Sequence, residues 1–157
     1  MNATTVPALV IRRIYAAPPE TVFRAWTTPA TLQQFLGPGD TVAENIRVDL
    51  RTGGAYRIDM RFASGDVWTV GGVYREVQPP RKLVMTWRWQ EDNPADEFDT
   101  LLTLEFNPAD GGTELVLTHA QLASNEQRER HGEGWNQILD TLQGVLHEVP
   151  RKGPSRS

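Results

Sequence analysis

The three histidines are the side chains of this sequence that titrate nearest neutrality, and His119 has the most chemistry to offer. Leu115, Leu117 and His119 alternate with Glu114, Val116 and Thr118, so a strand here turns His119 inward with the leucines. An inward imidazole in an apolar space can hydrogen-bond a ligand or move a proton. It can equally be held by a neighbouring backbone or side-chain group, as most buried polar groups are. Glu44 falls on the side of Val42, Ile46 and Val48 by the same alternation. An inward carboxyl has a raised pKa and can act as acid or base. Near the start of a strand it can also occupy an exposed rim, where Glu is usually found. His119 and Glu44 form an acid–base pair only if the fold brings them together.

The tryptophans are the second chemical feature. Trp68, Trp87, Trp89 and Trp135 on one concave surface can wall a pocket for a flat apolar ligand, or they can fill a core. The inward register of Trp68 depends on how its strand bends at Gly71-Gly72. Tyr56, Met60, Met85, Leu104, His131 and Ile138 complete the expected lining. His131 shares a helix face with Trp135, and His147 lies near the end of that helix. The spacing of the histidines gives no sign of a metal site, and no metal or cofactor is expected. There is no cysteine and no Gly-x-Ser-x-Gly elbow, so no nucleophile motif is present. Gly71-Gly72 and Gly111-Gly112 do not open a helix, which leaves nucleotide binding without support. Whether the chain is an enzyme stays open, and a binding role is preferred. The acidic stretch Glu91 to Glu97 joins two strands at the expected cavity mouth, as a gate or as a solvated hairpin tip.

Those residues need elements to position them. Leu9 to Ala16 reads as a first strand, ended by Ala17-Pro18-Pro19. Proline is tolerated in a first helical turn, and Val22, Phe23 and Trp26 then follow at helical spacing. Thr28-Pro29 starts a second short helix with Leu32, Phe35 and Leu36 on one face. The period then changes to two. Strands are expected around Val42–Val48, Tyr56–Phe62, Val67–Val77, Leu83–Trp89, Leu101–Phe106 and Glu114–His119, with a bulge or bend at Gly71-Gly72. Short turns between successive strands mean an antiparallel meander with one apolar face to cover. The cover is a long last helix. Ser124 and Gln127 have capping-box spacing, and His131, Trp135, Ile138, Leu142, Val145 and Val149 recur every three or four residues. Gly132, Gly134 and Gly144 within it mark close packing or simple tolerance.

A chain of 157 residues suits one domain: 1–8 an N-terminal extension, 9–149 the domain, 150–157 a flexible tail. The net charge of −4 with both signs dispersed argues against nucleic acid as a partner. No signal peptide and no membrane span is expected, and the cysteine-free composition suits a reducing cytoplasm.

Several stretches, taken in order, resemble the SRPBCC superfamily (START-like or Bet v 1-like), and within it the family of AHSA1-like proteins. They are Ile14 to Thr27, Gly53-Gly54-Ala55-Tyr56, Gly72 to Val77, Pro79-Pro80-Arg81-Lys82-Leu83-Val84 with Thr86-Trp87, Gly112 to Leu115 with Thr118-His119, and Gly134-Trp135. The resemblance spans Leu9 to Leu146. It implies an α+β helix-grip fold in which a curved antiparallel sheet holds a long C-terminal helix, with two short helices after the first strand. It also implies three functional readings. The first is an apolar or amphipathic ligand held in a cavity between sheet and helix. The second is a stress-response co-factor of an Hsp90-type chaperone, and the third a cyclase-like enzyme using His119. The acting species would be a monomer or homodimer.

Overall fold

The computed structural model describes residues 6–148. Val149, the expected tail, most of the N-terminal extension and the side chain of His147 lie outside what it describes.

Proline placement decides the start of the chain. Strand β1 (Leu9–Tyr15) leads into α1 (Pro19–Thr27) and α2 (Pro29–Phe35), each with proline in its first turn. The buried faces of these helices carry Val22, Phe23, Trp26, Leu32 and Phe35. The meander follows: β2 (Val42–Val48), β3 (Ala55–Arg61), β4 (Val67–Gln78), β5 (Lys82–Trp89), β6 (Thr100–Ala109) and β7 (Gly112–Ala120). The last helix, α3, runs from Asn125 to Glu148. All seven strands pair antiparallel in the order β1-β7-β6-β5-β4-β3-β2, so β1 closes the sheet beside β7 and leaves β2 at the far edge.

Period-2 alternation sorts the sheet into two faces. Ile58, Val70, Leu83, Met85, Leu102, Leu104, Leu115 and Leu117 are buried on the inner face. They meet Trp135, Ile138, Leu139 and Leu142 of α3 in one continuous core. Side chains of β1 tie it to the helix: Tyr15 donates to the Leu139 carbonyl at 2.9 Å, and Arg13 donates to the Asp140 carboxylate at 2.6 Å and the Asn136 side-chain oxygen at 2.8 Å. At the start of α3 the Ser124 hydroxyl accepts from the Gln127 amide at 3.1 Å. The Gln127 side chain accepts from the amide of Ala123 at 3.3 Å, one residue earlier than a capping box places it.

Two local expectations are corrected. Strand β4 runs through Gly71-Gly72 in unbroken register with β3, and its irregularity against β5 falls between Tyr74 and Glu76. Gly72 answers a different need, because a Cβ there would lie 2.1 Å from the Thr86 carbonyl oxygen. That oxygen is also the acceptor of the Tyr56 hydroxyl, which reaches it from across Gly72. The bulge is instead in β2, between Glu44 and Arg47, where Asn45 takes φ 52. A bulge shifts the alternation by one residue. Ala43, not Glu44, therefore faces the core.

The helix glycines are not alike. A Cβ at Gly132 would meet Leu9 at 3.4 Å, whereas Gly144 has no heavy atom within 4 Å of that position. Close packing accounts for the first and tolerance for the second.

Candidate functional site

His119 is fully buried at the end of the inner face of β7, and both ring nitrogens are engaged. An indole nitrogen can only donate, so Nδ1 accepts from Trp135 Nε1 at 3.0 Å. The Thr100 hydroxyl gives its one proton to the Trp87 carbonyl at 2.7 Å and keeps lone pairs for a donor. His119 Nε2 lies 2.7 Å from that hydroxyl, so the ring is the neutral Nε2–H tautomer. Burial pushes its pKa down to about 3, and the nearby imidazole of His131 adds to the effect. A ring that accepts from Trp135 and donates to Thr100 has no lone pair or proton to spare for a substrate.

His131 stands edge-on to His119, ring centres 4.8 Å apart. Its Nδ1 donates to the Gln127 carbonyl at 2.9 Å and its Nε2 accepts from Trp89 Nε1 at 3.3 Å. Its pKa is also lowered: burial is the main cause, Arg130 adds to it, and the Gln127 bond works against it. Two tryptophans of the expected wall are thus consumed in holding two histidines, Trp135 with His119 and Trp89 with His131.

The expected apolar cavity is largely filled by the rings themselves. Trp87 lies 5.0 Å from Trp135, 5.9 Å from Trp89 and 6.3 Å from Tyr56, and Trp26 lies 6.1 Å from Trp135. Met60, Met85, Leu104 and Ile138 are packed into the same core. What remains beside the rings is an opening of about 40 Å³, lined by Trp87, Trp89, Glu91, Asp96, Phe98, Thr100, Gln127 and His131. It lies where the loop after β5 meets the first turns of α3. The indole N–H of Trp87 is buried with no hydrogen-bond partner, as is that of Trp26.

Trp68 does not wall a closed pocket. Its register puts it opposite Met60, on the inner face, yet it is 58% exposed. It sits at the end of the sheet against Phe62 and Trp89, with centroids 5.1 and 6.1 Å away. Trp89 in turn lines the opening, as does Phe98, which is 40% exposed. The acidic loop is tethered there: Glu97 accepts from the Glu91 amide and pairs with Arg88, while Asn93 caps the short 3-10 turn Pro94–Asp96.

Glu44 is removed from all of this. It pairs with Arg61 at 3.2 Å, opposite Asp59 on the outer face of the edge strands. Five strand spacings, ~24 Å along the sheet, separate β2 from β7. Glu44 and His119 therefore do not form a pair. The outer face near Glu44 carries an open depression of about 470 Å³ lined by Asn45, Ile46, Arg47, Arg57 and Asp59. Asp59 there is held below the usual carboxylate range, first by the Asn45 amide and then by Thr69 and Arg57, against the opposing effect of burial.

Thr100 and Phe98 belong to the site without having been picked out in the sequence, and Gln127 was picked out only as a helix cap. Thr100 had a signal: it extends the inward series Leu102, Leu104, Phe106 by one step. The place of Phe98 and Gln127 at the opening had none, because it depends on how loop and helix meet. Among the described residues, no group of three or more His, Asp or Glu side chains is placed to hold a metal ion, and no helix is long and apolar enough to cross a membrane.

Comparison with known proteins adds a family to this geometry. Residues 16–147 match the model of the family described as Activator of Hsp90 ATPase homolog 1-like protein, AHSA1. A structure from Chromobacterium violaceum is 30% identical, with 88% of this chain and 96% of that chain covered and a TM-score of 0.81. The AHSA1 protein from Silicibacter pomeroyi is 28% identical over 90% of this chain and 98% of its own, at a TM-score of 0.80. An AHSA1-like protein from Aeromonas hydrophila shares the fold at 19% identity, with 96% and 100% covered and a TM-score of 0.77. No curated protein matches the chain.

Proposed function

Because the chain belongs to the AHSA1-like family, with the helix-grip fold of the SRPBCC superfamily, we propose that it binds a small amphipathic molecule at the open end of the sheet–helix groove. One observation carries this reading: an opening of about 40 Å³ is walled by aromatic rings, among them that of Trp87, whose buried N–H has no partner. Unpaired buried donors are rare and costly, and a ligand or water acceptor relieves them. The volume holds about three waters, so it admits a head group and not a whole drug-sized molecule. The remainder of the ligand lies over the exposed rings of Trp68 and Phe98. His119 stands behind the lining, held by Thr100 and Trp135, and lends no support to a cyclase-like reaction. The neutral fluorescent probe phenylnaphthylamine tests the proposal. It should bind the wild type, and Trp89→Ala and Phe98→Ala should each weaken binding severalfold while Glu44→Gln does not. Failure to bind, or equal binding by all variants, overturns it.

A second reading, as a co-factor of an Hsp90-type ATPase, is supported by the description of the matching family. Its test is the ATPase rate of the host's Hsp90 homologue with and without this protein. An unchanged rate removes it.

A further inference from the structure

Building on the ligand site proposed above, we propose that its ligand is a small organic cation: an ammonium with an oxygen acceptor a few bonds from the nitrogen. The charges around the opening carry this. Its lining includes two carboxylates, Glu91 and Asp96, and no lysine or arginine. Among the described residues neither carboxylate takes part in an ion pair.

The nearby cations are committed elsewhere. Arg88 holds Asp99 at 2.8 Å and Glu97 at 3.8 Å. Arg130 pairs with Glu126, and Arg128 reaches the carbonyls of Pro7 and Ala8. His131 spends both nitrogens on Gln127 and Trp89 and brings no positive charge. The field at the opening is therefore negative.

The walls fit the same ligand. Trp87, Trp89 and Phe98 present three aromatic rings around a space of head-group size. Aromatic faces attract cations through the ring quadrupole, most strongly for tryptophan, and alkylated ammonium ions are recognised by such ring cages. A purely apolar head group would fill the space without using the two carboxylates. The unpartnered, buried N–H of Trp87 is independent of the carboxylates and asks for an acceptor, which an oxygen near the ammonium supplies.

Choline meets the description and is a practical probe. Its neutral isostere, with carbon in place of the ammonium nitrogen, keeps the shape and the hydroxyl. Displacement of phenylnaphthylamine at low ionic strength should show choline binding about tenfold or more tighter than the isostere. The double variant Glu91→Gln/Asp96→Asn alters two exposed loop residues and should keep the fold, which circular dichroism checks. In direct calorimetric titration of each compound, the variant's ratio of choline to isostere affinity should fall to near one, and a ratio that stays at about tenfold overturns the proposal. Equal or tighter binding of the isostere by the wild type overturns the cation proposal and leaves the ligand site standing. So does failure of both compounds to displace a bound probe. Absence of phenylnaphthylamine binding is a different result, because it removes the ligand site itself.

Discussion

His119→Gln isolates one titration in the core. In the folded chain His119 is neutral, with a pKa pushed down to about 3 against an ordinary value of 6.5. The unfolded chain therefore takes up a proton near pH 6.5 that the folded chain refuses. The sign follows: the contribution of His119 is complete above about pH 6.5 and is lost as pH falls toward the folded value. Each pH unit in that window costs about 1.4 kcal/mol. At about pH 4.5 the wild type has lost about 3 kcal/mol through this group alone, a large part of a typical stability of ~5–15 kcal/mol. A glutamine amide can accept from Trp135 and donate to Thr100, so at neutral pH the substitution should cost only ~1–2 kcal/mol. The two stability curves should then cross between about pH 5 and pH 6. Urea unfolding followed by far-ultraviolet circular dichroism across the range measures both curves. His131 and the carboxylates are present in both proteins, so their titrations largely cancel in the difference. Parallel curves, or a His119 that titrates near its ordinary pKa in the folded protein, would refute the locked neutral ring.

Three further outcomes follow from the same contacts. Thr100→Val keeps the shape but leaves the Trp87 carbonyl and His119 Nε2–H unpaired, and denaturant titration should show a loss of ~2–4 kcal/mol. Gly144→Ala places a methyl group in open space on a helix and should raise stability by ~1 kcal/mol, read as a higher melting temperature. Glu44→Gln removes an exposed pair with Arg61 and should change stability by less than ~1 kcal/mol, with probe binding unaffected.

The fold was legible because it rests on periods. The alternation from Tyr56 to His119 and the spacing from His131 to Val145 fix which faces meet, whatever the details of packing. The bulge in β2 was not legible, since Asn45 is flanked by no glycine or proline that would announce it, and one inserted residue sent Glu44 to the opposite face. Gly71-Gly72 looked like a bend because glycine often marks one, but Gly72 serves the approach of Tyr56 to Thr86. The site was half legible. Alternation turned His119, Trp87 and Trp135 inward, but periodicity carries no information on ring orientation. Whether four tryptophans line a space or fill it depends on tilts and contacts of a few ångströms. The result is two histidines held by two indoles and a small opening at the rim.

The central claim is that a ligand engages Trp87 and Trp89 at that opening while Trp135 stays locked on His119. The indole N–H cross-peaks of the five tryptophans in a nitrogen–proton correlation spectrum report this directly, assigned by single Trp→Phe variants. On titration with phenylnaphthylamine, the Trp87 and Trp89 peaks should move together and saturate, with Trp135 nearly still. Movement of Trp135 alone, or of none of the five, would contradict the account.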